Sequence, residues 1–340
     1  PWNIHPRPVE VPFGLQGWGR VCFWKGGLVR ENPVRRAAWW VCRQARWVQL
    51  EEGGIRSLAH QLEELPLPPW EGRYHFQGDE ELTLRYLLAL DALNFCFWPG
   101  KERWSVVGPE GERLTGYFAL AWALRRLAED SPDFFSPQRL LSLDERGVKV
   151  ALGPIPLLEA RLRHLREVGR LLCQFGSASS FFSLARGSCA RLVELLTAHL
   201  PSFRDTACYR GRWVPFYKRA QILCADLYGA FSGEGPGDFF DLAWLTVFAD
   251  YKLPQLLRAR GALVLHPSLA SRIDRGELLP AGSPWEVELR AATVAIGERL
   301  VELLAKLGRP LRAFEVDWML WSLSQEKLPF PHHRTLTSFY

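Results

Sequence analysis

The chain has 340 residues, is 48% hydrophobic and 23% charged, and carries a net charge of +5. That composition supports a substantial buried core and excludes a disordered chain, while mild basicity without a Lys/Arg run argues against a polymer-binding stripe. No stretch approaches the roughly 18 uninterrupted apolar residues of a membrane span, and no basic segment leads into an apolar run as in a secretory signal, so a cytoplasmic protein is expected.

Residues 1–30 are rich in Gly, Pro and Trp and lack a helical period, so residues 1–31 read as an N-terminal extension without an assigned role. From Asn32 the pattern turns helical, with Pro33 suited to a first turn and Ala37, Val41, Ala45 and Val48 recurring at spacings of three or four. A second helix, from about Ile55 to Leu65, stops at the proline-rich break from Pro66 to Pro69. Asp79 is placed to cap a third, with Leu82, Tyr86, Leu90 and Leu93 on one face. Residues 104–107 and 113–115, around a Gly-Pro-Glu-Gly turn, predict one small β-hairpin. Helices are then expected at about 117–129, 155–174, 188–199, 215–231, 252–260, 284–306 and 311–324. Neither a repeat nor a flexible linker divides the chain, which predicts a single, mainly α domain over residues 32–340.

The seven cysteines are scattered and include no Cys-x-x-Cys pair, so neither a zinc site nor a disulfide framework is expected. Cys96, Cys173 and Cys224 have apolar neighbours and read as small core residues. Fifteen tryptophans supply rigid flat surfaces, for core packing first and base stacking second.

The chemistry concentrates in two stretches, Phe216-Tyr217-Lys218-Arg219-Ala220-Gln221 through Asp226, and Thr246-Val247-Phe248-Ala249-Asp250-Tyr251-Lys252-Leu253-Pro254. Acids and lysines stand there among aromatic and small apolar residues, where an ordinary amphipathic helix places charge only toward solvent. Pro254 marks a helix start, so Asp250 sits at a helix N-terminus, either as a cap worth ~1 kcal/mol or as a carboxylate fixed beside a reacting centre. Asp226 and Asp241 read first as partly buried acids satisfied by an arginine, and second as further active-site carboxylates. Asp317 interrupts an aromatic helix face between Val316 and Trp318, either paired with a cation such as Arg312 or accepting from the N–H groups of a base. No glycine-rich phosphate cradle is present.

These two stretches, with Leu93-Asn94-Phe95-Cys96-Phe97-Trp98, Pro154-Ile155-Pro156-Leu157-Leu158-Glu159, Pro201-Ser202-Phe203-Arg204-Asp205 and the tail from Pro331-His332-His333-Arg334-Thr335 to Tyr340, resemble the queuosine salvage proteins, queuosine 5′-phosphate N-glycosylases, over roughly residues 32–340. The resemblance implies a helical fold similar to the helix-hairpin-helix DNA glycosylases. It also implies hydrolysis of queuosine 5′-monophosphate to queuine and ribose 5-phosphate, by a metal-free monomer that needs no cofactor. In that reading Asp250 matches the catalytic carboxylate and Asp317, beside Trp318, lies near the base. His75, Phe248 and Tyr251 contact substrate, while Lys218, Lys252 and Arg334 are the cations for the 5′-phosphate. Queuine is a 7-deazaguanine without an N7 lone pair to protonate, so its departure depends on its other polar edges and on stacking. Two rivals fare worse. A DNA base-excision glycosylase would carry a Leu-Pro-Gly-x-Gly type of hairpin, and a non-catalytic helical interaction protein would show repeats or an exposed apolar stripe.

Overall fold

The computed structural model describes residues 21–24, 27–70, 72–100 and 102–340, with side chains from residue 31 onward. In chain order, β1 (Val21–Trp24) and β2 (Gly27–Arg30) are followed by α1 (Pro33–Cys42), β3 (Val48–Leu50), α2 (Glu52–Glu64) and α3 (Glu80–Leu93). β4 (Ser105–Val107) and β5 (Arg113–Thr115) lead into α4 (Gly116–Asp130), α5 (Pro137–Ser142), α6 (Glu145–Leu152), α7 (Leu158–Phe175), α8 (Ala178–Ser183) and α9 (Cys189–His199). β6 (Thr206–Tyr209), β7 (Arg212–Pro215), α10 (Lys218–Ala230), α11 (Lys252–Ala259), β8 (Leu263–Leu265), α12 (Pro267–Asp274), α13 (Pro284–Lys306) and α14 (Ala313–Leu323) complete the order. The mainly α architecture is therefore as expected. Among the described residues no helix is long and apolar enough to cross a membrane.

The expected hairpin is present as β4–β5, with Val106 opposite Leu114, and three further two-stranded pairings join it. β6 and β7 turn at Arg210 and Gly211, both at positive φ (48° and 76°), the backbone that a two-residue hairpin turn of matching twist requires. β3 pairs with the distant β8, Val48 opposite Leu265. This corrects the expectation of one helix running on to Val48. Asn32 caps α1 by accepting from the Val34 N–H, but the helix ends at Cys42, and Val48 reaches the core from an extended strand whose partner outweighs the local period.

Three clusters form the core. The largest gathers apolar side chains of α3, α4, α7, α9 and α10; a second unites α2, α11, α12, α13 and α14; a third sets α1 and the β6–β7 hairpin against α13. α14 joins the first two, sending Phe314 and Trp318 to one and Val316, Met319 and Leu320 to the other. Cys96 and Cys224 are buried as expected, but Cys173 is exposed on the outer face of α7, whose inward stripe is Leu165, Val168 and Leu172.

Two buried arginines satisfy the carbonyl end of α3, which a helix terminus leaves without partners. Arg219 donates to the carbonyls of Asp91 and Ala92, and Arg161 donates to those of Leu93 and Phe95. Beside them Cys96, Leu157 and Tyr217 hold positive φ (42°, 54° and 48°) without being glycine, the last two immediately before α7 and α10.

Candidate active site

A cavity of about 270 Å³ opens along the seam between the two larger clusters. Its walls come from the 94–98 segment, one face of α10, the loop that ends at Tyr251, α14 and the C-terminal tail. Most are segments that the sequence singled out, drawn together from across the chain, whereas the singled-out segments 154–159 and 201–205 do not line it.

The loop before α11 is fixed by polar bonds at both ends. Gln221 of α10 accepts from the Thr246 N–H (3.0 Å) and from the Asn32 side chain (3.1 Å), and donates to the Phe216 carbonyl (3.0 Å). At the far end, Oδ1 of Asp250 accepts from the N–H groups of Lys252 (2.7 Å) and Leu253 (3.0 Å), as its expected place at a helix start requires. These two bonds use one oxygen of a carboxylate that has two. Behind it, Arg290 of α13 donates to the Ala249 carbonyl (3.1 Å) and grips Asp205 with two bonds (2.9 and 2.5 Å). Asp205 in turn accepts from the Lys218 backbone N–H (3.1 Å), so one buried ion pair positions both Asp250 and Lys218.

The two lysines expected at a phosphate occupy different surroundings. Lys218 is buried; its Nζ donates to the Asn94 carbonyl (3.3 Å) and faces Asp250, Asp91 and Asp317, while burial lowers its pKa. Lys252 is half-buried, and exposed Arg103 lies close enough for their charges to interact. His332 completes that end, its ring 4.7 Å from that of Tyr251. Arg334 does not line the cavity. It is exposed, with its guanidinium 5.8 Å from the Trp98 ring on the outside of that wall, and its neighbour His333 is buried toward Tyr340.

Elsewhere on the wall stand Phe248, Trp318 and two acids. Asp317 is not paired with Arg312, which binds Glu315. It accepts from the Phe248 N–H at 2.7 Å, and burial holds its carboxyl well above the ordinary range despite that bond. Asp226 is not satisfied by an arginine either. Its Oδ1 accepts from Trp70 Nε1 and its Oδ2 from the Tyr117 hydroxyl, both at 3.0 Å, and burial raises its pKa to about 6. Asp91 lies behind it, buried and raised in the same direction, with the Asp226 charge as a further cause. His75 lines the cavity, stacked on Trp70 at 4.4 Å, and burial pushes its pKa down to about 3, so the ring is neutral. Asp241 does not line the cavity and caps α9 through Ser188, Cys189 and Ala190.

The cavity thus unites Asp250, His75, Phe248, Tyr251, Asp317, Trp318, Lys218 and Lys252, and leaves out Arg334. It adds Trp70, Arg103, Tyr117 and His332, which the sequence did not single out, and it gives Asp226 a cavity position that the sequence had ranked second. A pocket with a fixed carboxylate, an interior lysine and aromatic walls can stabilise a cationic sugar against a departing base.

A family model described as queuosine salvage protein matches residues 74–340. Among curated proteins, the chain is 43% identical over 310 residues to a queuosine 5′-phosphate N-glycosylase/hydrolase of Sphaerobacter thermophilus, covering 88% of this chain and 95% of the relative. Proteins of the same name from Dictyostelium discoideum (39% over 266 residues, 76% and 79% covered) and Bos taurus (30% over 332 residues, 89% and 97% covered) are also similar.

Proposed function

The chain belongs to the queuosine salvage protein family, and from that premise we propose that it hydrolyses the N-glycosidic bond of queuosine 5′-phosphate, releasing queuine and ribose 5-phosphate. The observation that carries this reading is Asp250, held by two backbone N–H bonds to one oxygen at the wall of an aromatic cavity.

Cleavage of a ribosyl C–N bond develops positive charge on the sugar, and a fixed carboxylate there stabilises that charge and orients the attacking water. Asp250 takes this role. Phe248 and Trp318 bound the base, and Asp317 meets its polar edge. Lys252, with Arg103 beside it, takes the 5′-phosphate from the solvent side, and Tyr251 and His332 close that end. Lys218, among the acids of the interior, keeps the negative charge around Asp250 balanced. His75 is neutral and shapes the wall as a contact.

The substrate in this reading is a free nucleotide, handled by a monomeric cytoplasmic enzyme and not by one that binds polymeric nucleic acid; the small cavity and the small net charge support a small ligand over a polymer. Residues 32–340 form the catalytic domain, since Asn32 is buried and bonds to Gln221 and to the Trp244 carbonyl (2.8 Å). A protein lacking residues 1–30 then retains kcat/KM, and a soluble but inactive truncation would overturn that boundary. The activity is tested by incubating purified protein with a nucleotide panel and identifying products by mass spectrometry. Queuine released from queuosine 5′-phosphate is the expected result; no base release from it would overturn the reading.

A further inference from the structure

The reaction at Asp250 leaves one cavity carboxylate without a task. α10 presents Lys218, Ile222 and Asp226 to the cavity at intervals of four residues, a single stripe on one helix face. Eight residues at about 1.5 Å each place Asp226 about 12 Å along the axis from Lys218. Lys218 interacts with Asp250, and Asp226 lies further along the same cavity-facing stripe of α10.

Asp226 has no cation among its hydrogen-bond partners, although the charge of Lys218 reaches it. Both of its hydrogen-bond donors are neutral and aromatic, the Trp70 indole and the Tyr117 hydroxyl. The next ring, His75, lies 3.3 Å from that hydroxyl through Nε2 and is itself neutral. Each carboxylate oxygen keeps a second lone pair after accepting one bond. A buried carboxylate beside an indole and a phenol attracts an ammonium ion through charge-assisted hydrogen bonds to its remaining lone pairs. Burial raises the Asp226 carboxyl even against the charge of Lys218, and a ligand cation in direct contact would oppose that rise.

We propose that Asp226, with Trp70 and Tyr117, binds a protonated amine on the side chain of the departing base and so selects for bases that carry one. This rests on the activity proposed above, since queuine bears a secondary amine on the methylene attached to its seven position. Asp317, on the separate wall formed by α14, then meets the ring's own polar edge. The two acids divide recognition of the base between its ring and its substituent.

The test uses three 5′-nucleotides that share the deazaguanine ring: queuosine 5′-phosphate, its 7-aminomethyl analogue, and its 7-cyano analogue, which carries no charge. Asp226→Asn is expected to lower kcat/KM about ten- to a hundredfold on the two amines, with a loss on the nitrile at least about tenfold smaller. An equal loss on all three would overturn the proposal, since Asp226 would then read the ring or hold the wall. A second measurement needs no variant. Calorimetry on the wild-type protein should find the free base 7-aminomethyl-7-deazaguanine bound at least about tenfold more tightly than 7-cyano-7-deazaguanine, and equal affinities or the reverse order would overturn the proposal. Failure of the wild type to cleave queuosine 5′-phosphate would sink the proposed activity, while these two binding constants would still decide the amine receptor.

Discussion

Arg290 holds Asp205 through both carboxylate oxygens, at 2.9 and 2.5 Å, with both side chains only 2–3% exposed. The pair sits between the Ala249 carbonyl and the Lys218 backbone, so it sets the separation of the two charged groups that face the cavity. Removing one partner of a buried pair leaves an uncompensated charge, which costs about 3–5 kcal/mol. Arg290→Met strands Asp205 and also Glu286, 3.4 Å away. Urea unfolding should therefore show a loss of that size, partly recovered in the double variant Arg290→Met with Asp205→Leu. A single variant as stable as wild type would show that the pair does not hold the site.

Asp250→Asn separates cap from catalysis. The amide oxygen can still accept from Lys252 and Leu253, so the melting temperature should stay close to that of wild type. The charge is gone, and kcat should fall about a hundred- to a thousandfold, as when a transition-state charge loses its stabilising partner. Near wild-type turnover would remove Asp250 from the mechanism.

The two lysines are expected to differ in which substrate they serve. Lys252→Ala should reduce kcat/KM for the nucleotide about ten- to a hundredfold and spare the corresponding nucleoside, because only the nucleotide carries the lost partner. Lys218→Ala, which unbalances the acids around Asp250, should impair both by a similar factor. Steady-state kinetics on the two substrates decides it, and the opposite assignment would follow if Lys218→Ala selectively spared the nucleoside.

Asp226 should leave a mark on the pH dependence of stability. Its folded-state pKa, about 6, lies above the ordinary aspartate value of 3.8. The folded protein therefore binds the proton more tightly, and the contribution from this group is fully present below 3.8 and lost as pH rises to about 6. Asp226→Asn cannot lose it, and it also removes the charge that helps raise Asp91. Melting curves should show the variant gaining on wild type between those two values and holding a constant difference above them. A difference that does not change with pH would mean that Asp226 is not raised by burial.

Much of this was legible in the sequence because it depends on local rules. Asp79 accepts from the Leu82 N–H as a cap should, and the long helix from Pro284 begins and ends where its proline and its apolar period place it. Asp250 at a helix start needed only Pro254 and its own side chain. What escaped depends on partners far away in the chain. Trp70 follows a proline break and Tyr117 opens a helix, and nothing near either announces a bond to Asp226, 156 and 109 residues distant. Likewise the β6–β7 hairpin turns at Arg-Gly, a weaker signal than Asn-Gly, and β8 becomes a strand only because β3 is there to pair with it. Of the tail residues, His332 enters the cavity and Arg334 does not, a difference on which composition is silent.

The left-handed backbone at Cys96, Leu157 and Tyr217 bears on how far this protein could be made heat-resistant. A non-glycine residue in that region costs roughly 1–2 kcal/mol, so a glycine at any of the three would ease the backbone. Tyr217, however, packs against two of the core clusters while its φ of 48° launches the helix that carries Lys218, Gln221 and Asp226. The strain is the means by which the chain reverses direction and still keeps a large side chain at the turn. Thermal tolerance gained there would come out of the alignment of the helix that faces the substrate.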